Sequence, residues 1–339
     1  MPIKQQLFQR YEGNPILTCE QWSHTINAVF NAGAVSFAGE TLLLVRVEDR
    51  SGISHLSIAR SADGYTDWRI EAEPSFEPMP GSYDEAWGIE DPRITQCGDE
   101  YMIVYTGYSR GGPLVRLAST RNFRTFERRS TLMPPDDKDA ALFPCQFDGR
   151  WALLHRPSSG DQAHIWLSWS PDLRHWGDHT TLVHARRGGW WDANKIGLGP
   201  PPLLTEYGWL VLYHGVRMTA AGAIYRLGLV LLDREDPGLV LIRGNEWIFG
   251  PESDYERSGD VPEVVFPCGW ILEDDRRTIR LYYGAADTTV CVATGDLEEI
   301  MGYLYHHCVC GQLHKPGDRC DVAASGPVDV TGDDLGARA

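Results

Sequence analysis

No run in this chain of 339 residues approaches the ~20 consecutive apolar residues that a membrane-spanning helix needs. The first residues, MPIKQQLFQRYEGN, contain no apolar core of the kind a secretory signal carries, so export is not expected. Eight cysteines, dispersed until the tail, lack the density of a disulfide scaffold, and a reducing cytoplasm is the expected setting. Positive charge is scarce: 31 Lys and Arg stand against 47 Asp and Glu, a formal net charge of −16. That balance argues against nucleic acid as a partner and favours solubility. Long helical periodicity is missing, apart from a short stretch from Asp296 to Tyr303. There is no P-loop, dinucleotide fingerprint or HExxH, and GLGPPP places prolines where a phosphate-cradling loop needs free N–H groups. Neither a metal nor an organic cofactor is expected.

What is abundant points to short strands. Gly (35) and Pro (21) are scattered through the chain, and 42% of residues are hydrophobic, enough for a sizeable core. Twelve Trp and fourteen Tyr suit either sugar stacking or ordinary core packing, and composition does not separate the two. Five apolar runs share one pattern: TLLLVRVED (41–49), EYMIVYTGYS (100–109), RWALLHRPS (150–158), GWLVLYHGV (208–216) and TIRLYYGAAD (278–287). Each follows a turn, is aliphatic or aromatic in its middle and ends in polar residues. A second, alternating strand follows each, and in three repeats a turn and an aromatic close the unit (SADGYTDW, TRNFRTF, SPDLRHW). Their central residues, Leu43, Ile103, Leu153, Val211 and Leu281, are spaced by 60, 50, 58 and 70 positions. That is room for about four short strands each, the size of a propeller blade. The expected fold is all-β, a five-bladed β-propeller over 1–304 with a central funnel; a β-sandwich does not predict five equivalent hairpins. Taking the five runs as the inner strands, Arg46, Arg156, His214 and Asp287 should meet at the funnel.

The segments VFNAGAV (29–35), WGIEDPRI (87–94), KDAALFP (138–144), LLHRP (153–157), WWDANKIGLGPPP (190–202), LYHGV (212–216), YERSGDVPEVVFPCGW (255–270) and YYGAAD (282–287) resemble, in order, glycoside hydrolase family 130. The similarity runs from about Tyr11 to Leu304. It implies a five-bladed propeller and inverting phosphorolysis of β-mannosides, giving α-mannose 1-phosphate and a shortened acceptor sugar. Relatives commonly associate, so a homo-oligomer is compatible with it.

Glu90-Asp91-Pro92-Arg93 sets two acids before a proline, which favours extended backbone and removes a donor. An exposed turn is the ordinary meaning of such a dipeptide, but the flank Trp87-Gly88-Ile89 argues for partial burial, which raises a carboxyl pKa. By resemblance Asp91 is the general acid, acting through a hydroxyl of the bound mannose. An inverting hydrolase needs a second carboxylate to activate water, whereas phosphate is already a nucleophile that needs positioning and charge compensation. Resemblance assigns that task to Lys138, Arg156, Lys195 and His214, with Lys138 standing where some members carry arginine. Singly, each basic residue would be a solvated surface charge. Asn31, Arg46 and Glu90 are matched to the mannosyl unit, and Asp287 to sugar hydroxyls, although an acid after a strand also serves turns.

Glu263 in GDVPEVVF either contacts the acceptor or serves as a base in a hydrolytic member. The tail, 305–339, begins with His306-His307-Cys308-x-Cys310 and also carries His314 and Cys320. Its spacing fits no standard zinc pattern, and after Cys320 it reads as disordered. Two alternatives stay open: a β-mannosidase on the same fold, and a non-catalytic sugar-binding propeller. The second predicts that the four basic residues are scattered over the outer surface.

Overall fold

The computed structural model describes residues 6–158 and 162–307. A short strand, β1 (Phe8–Arg10), precedes the first complete sheet, β2 (Ala28–Phe37), β3 (Glu40–Glu48), β4 (Ser54–Ser61) and β5 (Arg69–Ile70). The second sheet is β6 (Ile89–Cys97), β7 (Glu100–Ser109), β8 (Gly112–Thr120) and β9 (Glu127–Met133). The third is β10 (Asp137–Phe147), β11 (Arg150–Pro157), β12 (Ile165–Ser170) and β13 (Gly177–Val183). The fourth holds β14 (Lys195–Leu198), β15 (Leu203–Thr205), β16 (Gly208–Thr219), β17 (Gly222–Leu232) and β18 (Val240–Arg243). The fifth is β19 (Val265–Leu272), β20 (Thr278–Ala285) and β21 (Thr289–Asp296), completed by β1 pairing with β21. Five antiparallel blades closed by the N-terminal strand make a five-bladed β-propeller. Helix α1 (Asp254–Arg257) lies between blades four and five, and α2 (Leu297–His306), capped by the Asp296 carboxylate, follows the last strand. The cysteines and His314 of the tail lie outside the described residues. Among the described residues no helix is long and apolar enough to cross a membrane.

The five apolar runs are not the inner strands. They are β3, β7, β11, β16 and β20, each second in its blade, while β2, β6, β10, β14 and β19 sit innermost and meet one another around the axis. The reason is burial on both faces. Leu42 and Leu44 pack towards blade two, whereas Leu43, Val45 and Val47 pack towards blade five. Ile103 and Tyr105 likewise face blade one while Met102 and Val104 face blade three. A strand sandwiched between two neighbouring blades is apolar at every position, so it dominates the hydrophobic pattern. The molecule accordingly has five wedge-shaped cores, one between each pair of blades.

The inner strands are bent by bulges. The pairing register slips between Phe30 and Gly33, between Glu90 and Arg93, and between Lys138 and Ala141. Inside the three slips stand Asn31, Asp91 and Asp139, with φ of 49°, 51° and 51°. Asn and Asp tolerate this left-handed region better than other residues with a Cβ, and a bulge re-aims the side chain it carries. Three blades thus use one device at one place.

Candidate active site

Asp91 is buried, and its Oδ1 accepts from Asn31 Nδ2 at 2.9 Å and from Arg46 Nη1 at 3.1 Å. Arg46 also donates to Glu90 Oε1 at 3.1 Å and, through Nε, to Ser54 Oγ at 2.9 Å. Burial pushes the Asp91 carboxyl up, but Arg46, Lys138, Arg93 and the Asn31 amide outweigh it and hold Asp91 below the ordinary aspartate range. Burial alone therefore misleads: the sequence suggested a raised acid, and the facing cations reverse the sign. The raised carboxyl is Asp287, pushed up to about 6 by burial and by the like charges of Asp91 and Glu90, against the pull of Arg46 and Lys138.

A second cluster adjoins the first through Lys138. Asp139 is fully buried and pairs with Arg156 Nε at 2.8 Å, His214 Nε2 at 3.4 Å and Arg93 Nη2 at 3.7 Å. Lys138 and Arg156 are direct cross-strand partners on β10 and β11, while β14 and β16 place Lys195 and His214 on a neighbouring blade. Lys138 is held charged: burial opposes this, but Asp139, Glu90 and Asp91 prevail. Burial drives His214 down to about 3, helped by Arg156, Lys195 and Arg93 against Asp139, so its ring is neutral at physiological pH. Lys195 Nζ lies 5.4 Å from the centre of the Tyr225 ring, and that ring stacks on His214.

All nine residues singled out from the sequence are joined by contacts or electrostatic coupling in this one region. Two further residues emerge that sequence reasoning passed over, Asp139 and Arg93. Arg93 is buried and spans from blade two to blade four, donating to the carbonyls of Leu198 at 2.9 Å and Gly199 at 2.7 Å. A signal for Asp139 existed: Asn31 and Asp91 each stand 12 residues before Leu43 and Ile103, and Asp139 stands 14 before Leu153. Arg93, Lys138 and Arg156 thus converge on Asp139, with Lys195 beyond His214, whereas Arg46 is shared among Glu48, Glu90 and Asp91, so the local positive surplus of this acidic protein lies around Asp139. Asn31 Oδ1 and His214 Nδ1 are buried without a hydrogen-bond partner in the protein, as groups reserved for a ligand would be. Glu263 stands apart, pairing with Arg257 at 3.3 Å with its side chain about one-third exposed. Among the described residues no group of three or more His, Cys, Asp or Glu is arranged to hold a metal ion.

Residues 3–306 match the sequence profile of the family described as β-1,4-mannooligosaccharide phosphorylase, glycoside hydrolase family 130. The chain belongs to glycoside hydrolase family 130. Within the family it is 33% identical to the β-1,2-mannobiose phosphorylase of Listeria innocua, over 87% of this chain and 98% of that one. The solved structure of the Listeria innocua enzyme with β-1,2-mannobiose has a TM-score of 0.80 and covers 88% of this chain and 99% of its own. The β-1,4-mannooligosaccharide phosphorylase of Ruminococcus albus is 32% identical over 88% of this chain and 91% of its own. A further solved structure has a TM-score of 0.76 and is 25% identical over 88% of this chain and 96% of its own. It is described as showing that the GH130 family of mannoside phosphorylases contains glycoside hydrolases that target β-1,2 mannosidic linkages in Candida mannan.

Proposed function

We propose that this family 130 protein is an inverting β-mannoside phosphorylase, with mannobiose or mannooligosaccharide and inorganic phosphate as substrates. The observation that carries this is the cationic surplus around Asp139, packed beside a buried acid. A phosphate oxygen attacks the anomeric carbon from the face opposite the leaving group, the glycosidic C–O bond breaks, and the leaving oxygen takes a proton. Inversion converts the β-mannoside into α-mannose 1-phosphate. Asp91 is the proton donor, acting through a hydroxyl of the bound mannose. Lys138, Arg156, Lys195 and neutral His214 hold the phosphate; Asn31, Arg46, Glu90 and Asp287 hold the sugar. Asp91 is ionised while Arg46, Lys138 and Arg93 prevail over its burial, and an arriving phosphate anion offsets those cations and raises its proton affinity. Phosphate binding in this way loads the acid it needs. No cofactor enters the reaction, phosphate being a co-substrate.

The five cysteines among the described residues, Cys19, Cys97, Cys145, Cys268 and Cys291, are free thiols, in keeping with a cytoplasmic protein.

The test is product analysis with β-1,2- and β-1,4-mannobiose, with and without phosphate. Mannose 1-phosphate should form in step with the released sugar, and Asp91→Asn should lower kcat by about 10²–10⁴-fold. Arg156→Ala should mainly raise KM for phosphate. A second reading, hydrolysis, draws on Asp91 and Asp287: two neighbouring carboxyls pushed apart in pKa are an acid–base signature. Free mannose released at an equal rate in phosphate-free buffer would establish that reading instead.

A further inference from the structure

The site residues stand towards the start of four inner strands and the end of four second strands, so the blade-to-blade connections and the second-to-third-strand turns form the funnel mouth. Among the described residues, every exposed large hydrophobic side chain is at that end. The most concentrated group belongs to blade two. Trp87 is 43% exposed, Tyr108 36% and Tyr83 63%. Trp87 and Tyr108 meet edge to face with ring centres 5.4 Å apart, and Tyr83 lies against Gly111 in the adjoining turn.

This group is built into the catalytic strand. Trp87 N–H donates to the Tyr108 carbonyl at 2.9 Å and Tyr108 N–H to the Gly88 carbonyl at 3.0 Å, extending the β6–β7 ladder. Gly88 bridges to Ser54, whose hydroxyl accepts from Arg46. Buried Glu85 anchors the loop from within, accepting from Met79 N–H at 2.6 Å, Tyr105 Oη at 2.8 Å and Arg128 Nη2 at 3.1 Å. The rings therefore sit on a fixed support, four residues before Asp91, at most ~13 Å along an extended strand. Trp190, on another side of the mouth, differs: the Arg186 guanidinium lies 4.5 Å from its ring centre and occupies one face.

We infer that Trp87 and Tyr108 form a stacking platform for the leaving chain of the substrate, binding the hexopyranose ring that follows the sugar directly bonded to the cleaved mannosyl unit. The inference rests on the phosphorylase function proposed above and adds a preference for oligosaccharides over the disaccharide. A pyranose presents apolar C–H faces to aromatic rings and hydroxyls around its edge. The exposed carboxylate of Asp84, held by Arg116 at 3.3 Å next to Gly107, is placed to accept from such hydroxyls. Three rings are far too few for a stable protein interface, which buries about 1,000 Å² or more, but they suit one or two sugars.

The experiment compares kcat/KM for the disaccharide and for the tri- and tetrasaccharide of the linkage the wild type cleaves, at saturating phosphate. Trp87→Ala should lower the oligosaccharide-to-disaccharide ratio by about ten-fold, the scale of one lost aromatic contact. Trp87→Phe, which restores a flat ring, should recover most of it, and Trp190→Ala should leave the ratio unchanged. A ratio that stays at the wild-type value in both Trp87→Ala and Tyr108→Ala overturns the inference. So does an equal loss on every substrate, which would mean that the rings only support the Asp91 strand. A wild-type protein without phosphate-dependent cleavage would bring down the proposed function itself, a result distinct from either.

Discussion

Asp91 and Asp287 are the same residue type in the same cluster, yet their proton affinities are displaced in opposite directions. Asp91 faces Arg46, Lys138 and Arg93 and accepts from Asn31, so charge pairing overcomes burial. Asp287 has burial and two neighbouring carboxylates working against its charge, and its pKa rises to about 6. The displacement of Asp287 is also a statement about stability. A carboxyl whose folded pKa lies above the unfolded one binds its proton more tightly when folded, so it contributes stability at low pH that is lost as pH rises through about 6. Above that pH the cost is at most ~3 kcal/mol, from roughly two pKa steps. Asp287→Asn should therefore be more stable than wild type at pH 7.5, by about 1–3 kcal/mol, and the gain should shrink towards zero near pH 4. Urea unfolding across that range checks it; a gain that grows on acidification would show that the carboxyl is not raised. The same variant should turn over substrate poorly, the usual trade of stability for function at a strained charge cluster.

The inner strand is the element that makes this site, and in three blades a polar residue interrupts its apolar run. Asn31, Asp91 and Asp139 each sit at a register slip with left-handed backbone. That geometry makes a reversal of an ordinary preference testable. In a strand interior Gly is usually worse than Ala by about 0.5–1 kcal/mol, but at φ of 49° Ala pays a steric cost of ~1–2 kcal/mol that Gly does not. Asn31→Ala should thus be less stable than Asn31→Gly by about 1 kcal/mol, while both lose the hydrogen bond to Asp91. Equal stability of the two by denaturant unfolding would rule out the strained bulge. The same feature explains what the sequence made legible. Second strands, apolar on both faces, announced five blades, but their prominence made them look innermost. The true inner strands, broken by a polar bulge residue, showed themselves only as short motifs such as IEDPRI and KDAALFP. Arg93 and Asp139 were passed over because their importance lies in contacts across blades, Arg93 with the carbonyls of Leu198 and Gly199 and Asp139 with Arg93 and His214. The spacing from Asp139 to Leu153 flags its position in the inner strand but does not encode those contacts.

At the scale of the whole molecule, a net charge of −16 coexists with a cationic cluster around Asp139 because the two are separated. Fields from surface carboxylates fade within ~8 Å at physiological salt, whereas the cluster around Asp139 is buried and scarcely screened. What keeps the cluster together is closure of the ring, since its members come from four inner strands and four second strands. Closure depends on β1, the N-terminal strand paired to the C-terminal β21 in blade five. Arg10 of β1 fastens it with a two-pronged pair to Glu256, Nε to Oε1 at 2.8 Å and Nη2 to Oε2 at 2.8 Å. Glu256 is fully buried, and it also accepts from Tyr283 Oη at 2.8 Å and from the N–H groups of Glu252 and Ser253. Removing one partner of such a pair leaves a buried charge uncompensated, at a cost of about 3–5 kcal/mol, and the remaining donors on Glu256 favour the lower end. Arg10→Met should therefore destabilise the protein by about 3 kcal/mol, and adding Glu256→Gln should recover much of the loss by removing the stranded charge. Because neither Arg10 nor Glu256 touches Asp91 or the cations around Asp139, kcat below the unfolding temperature should stay close to wild type. Chemical denaturation of the single and double variants measures the first effect, and initial rates measure the second. A fall in kcat without a fall in stability would mean that the closing strand positions the site directly instead of holding the ring shut.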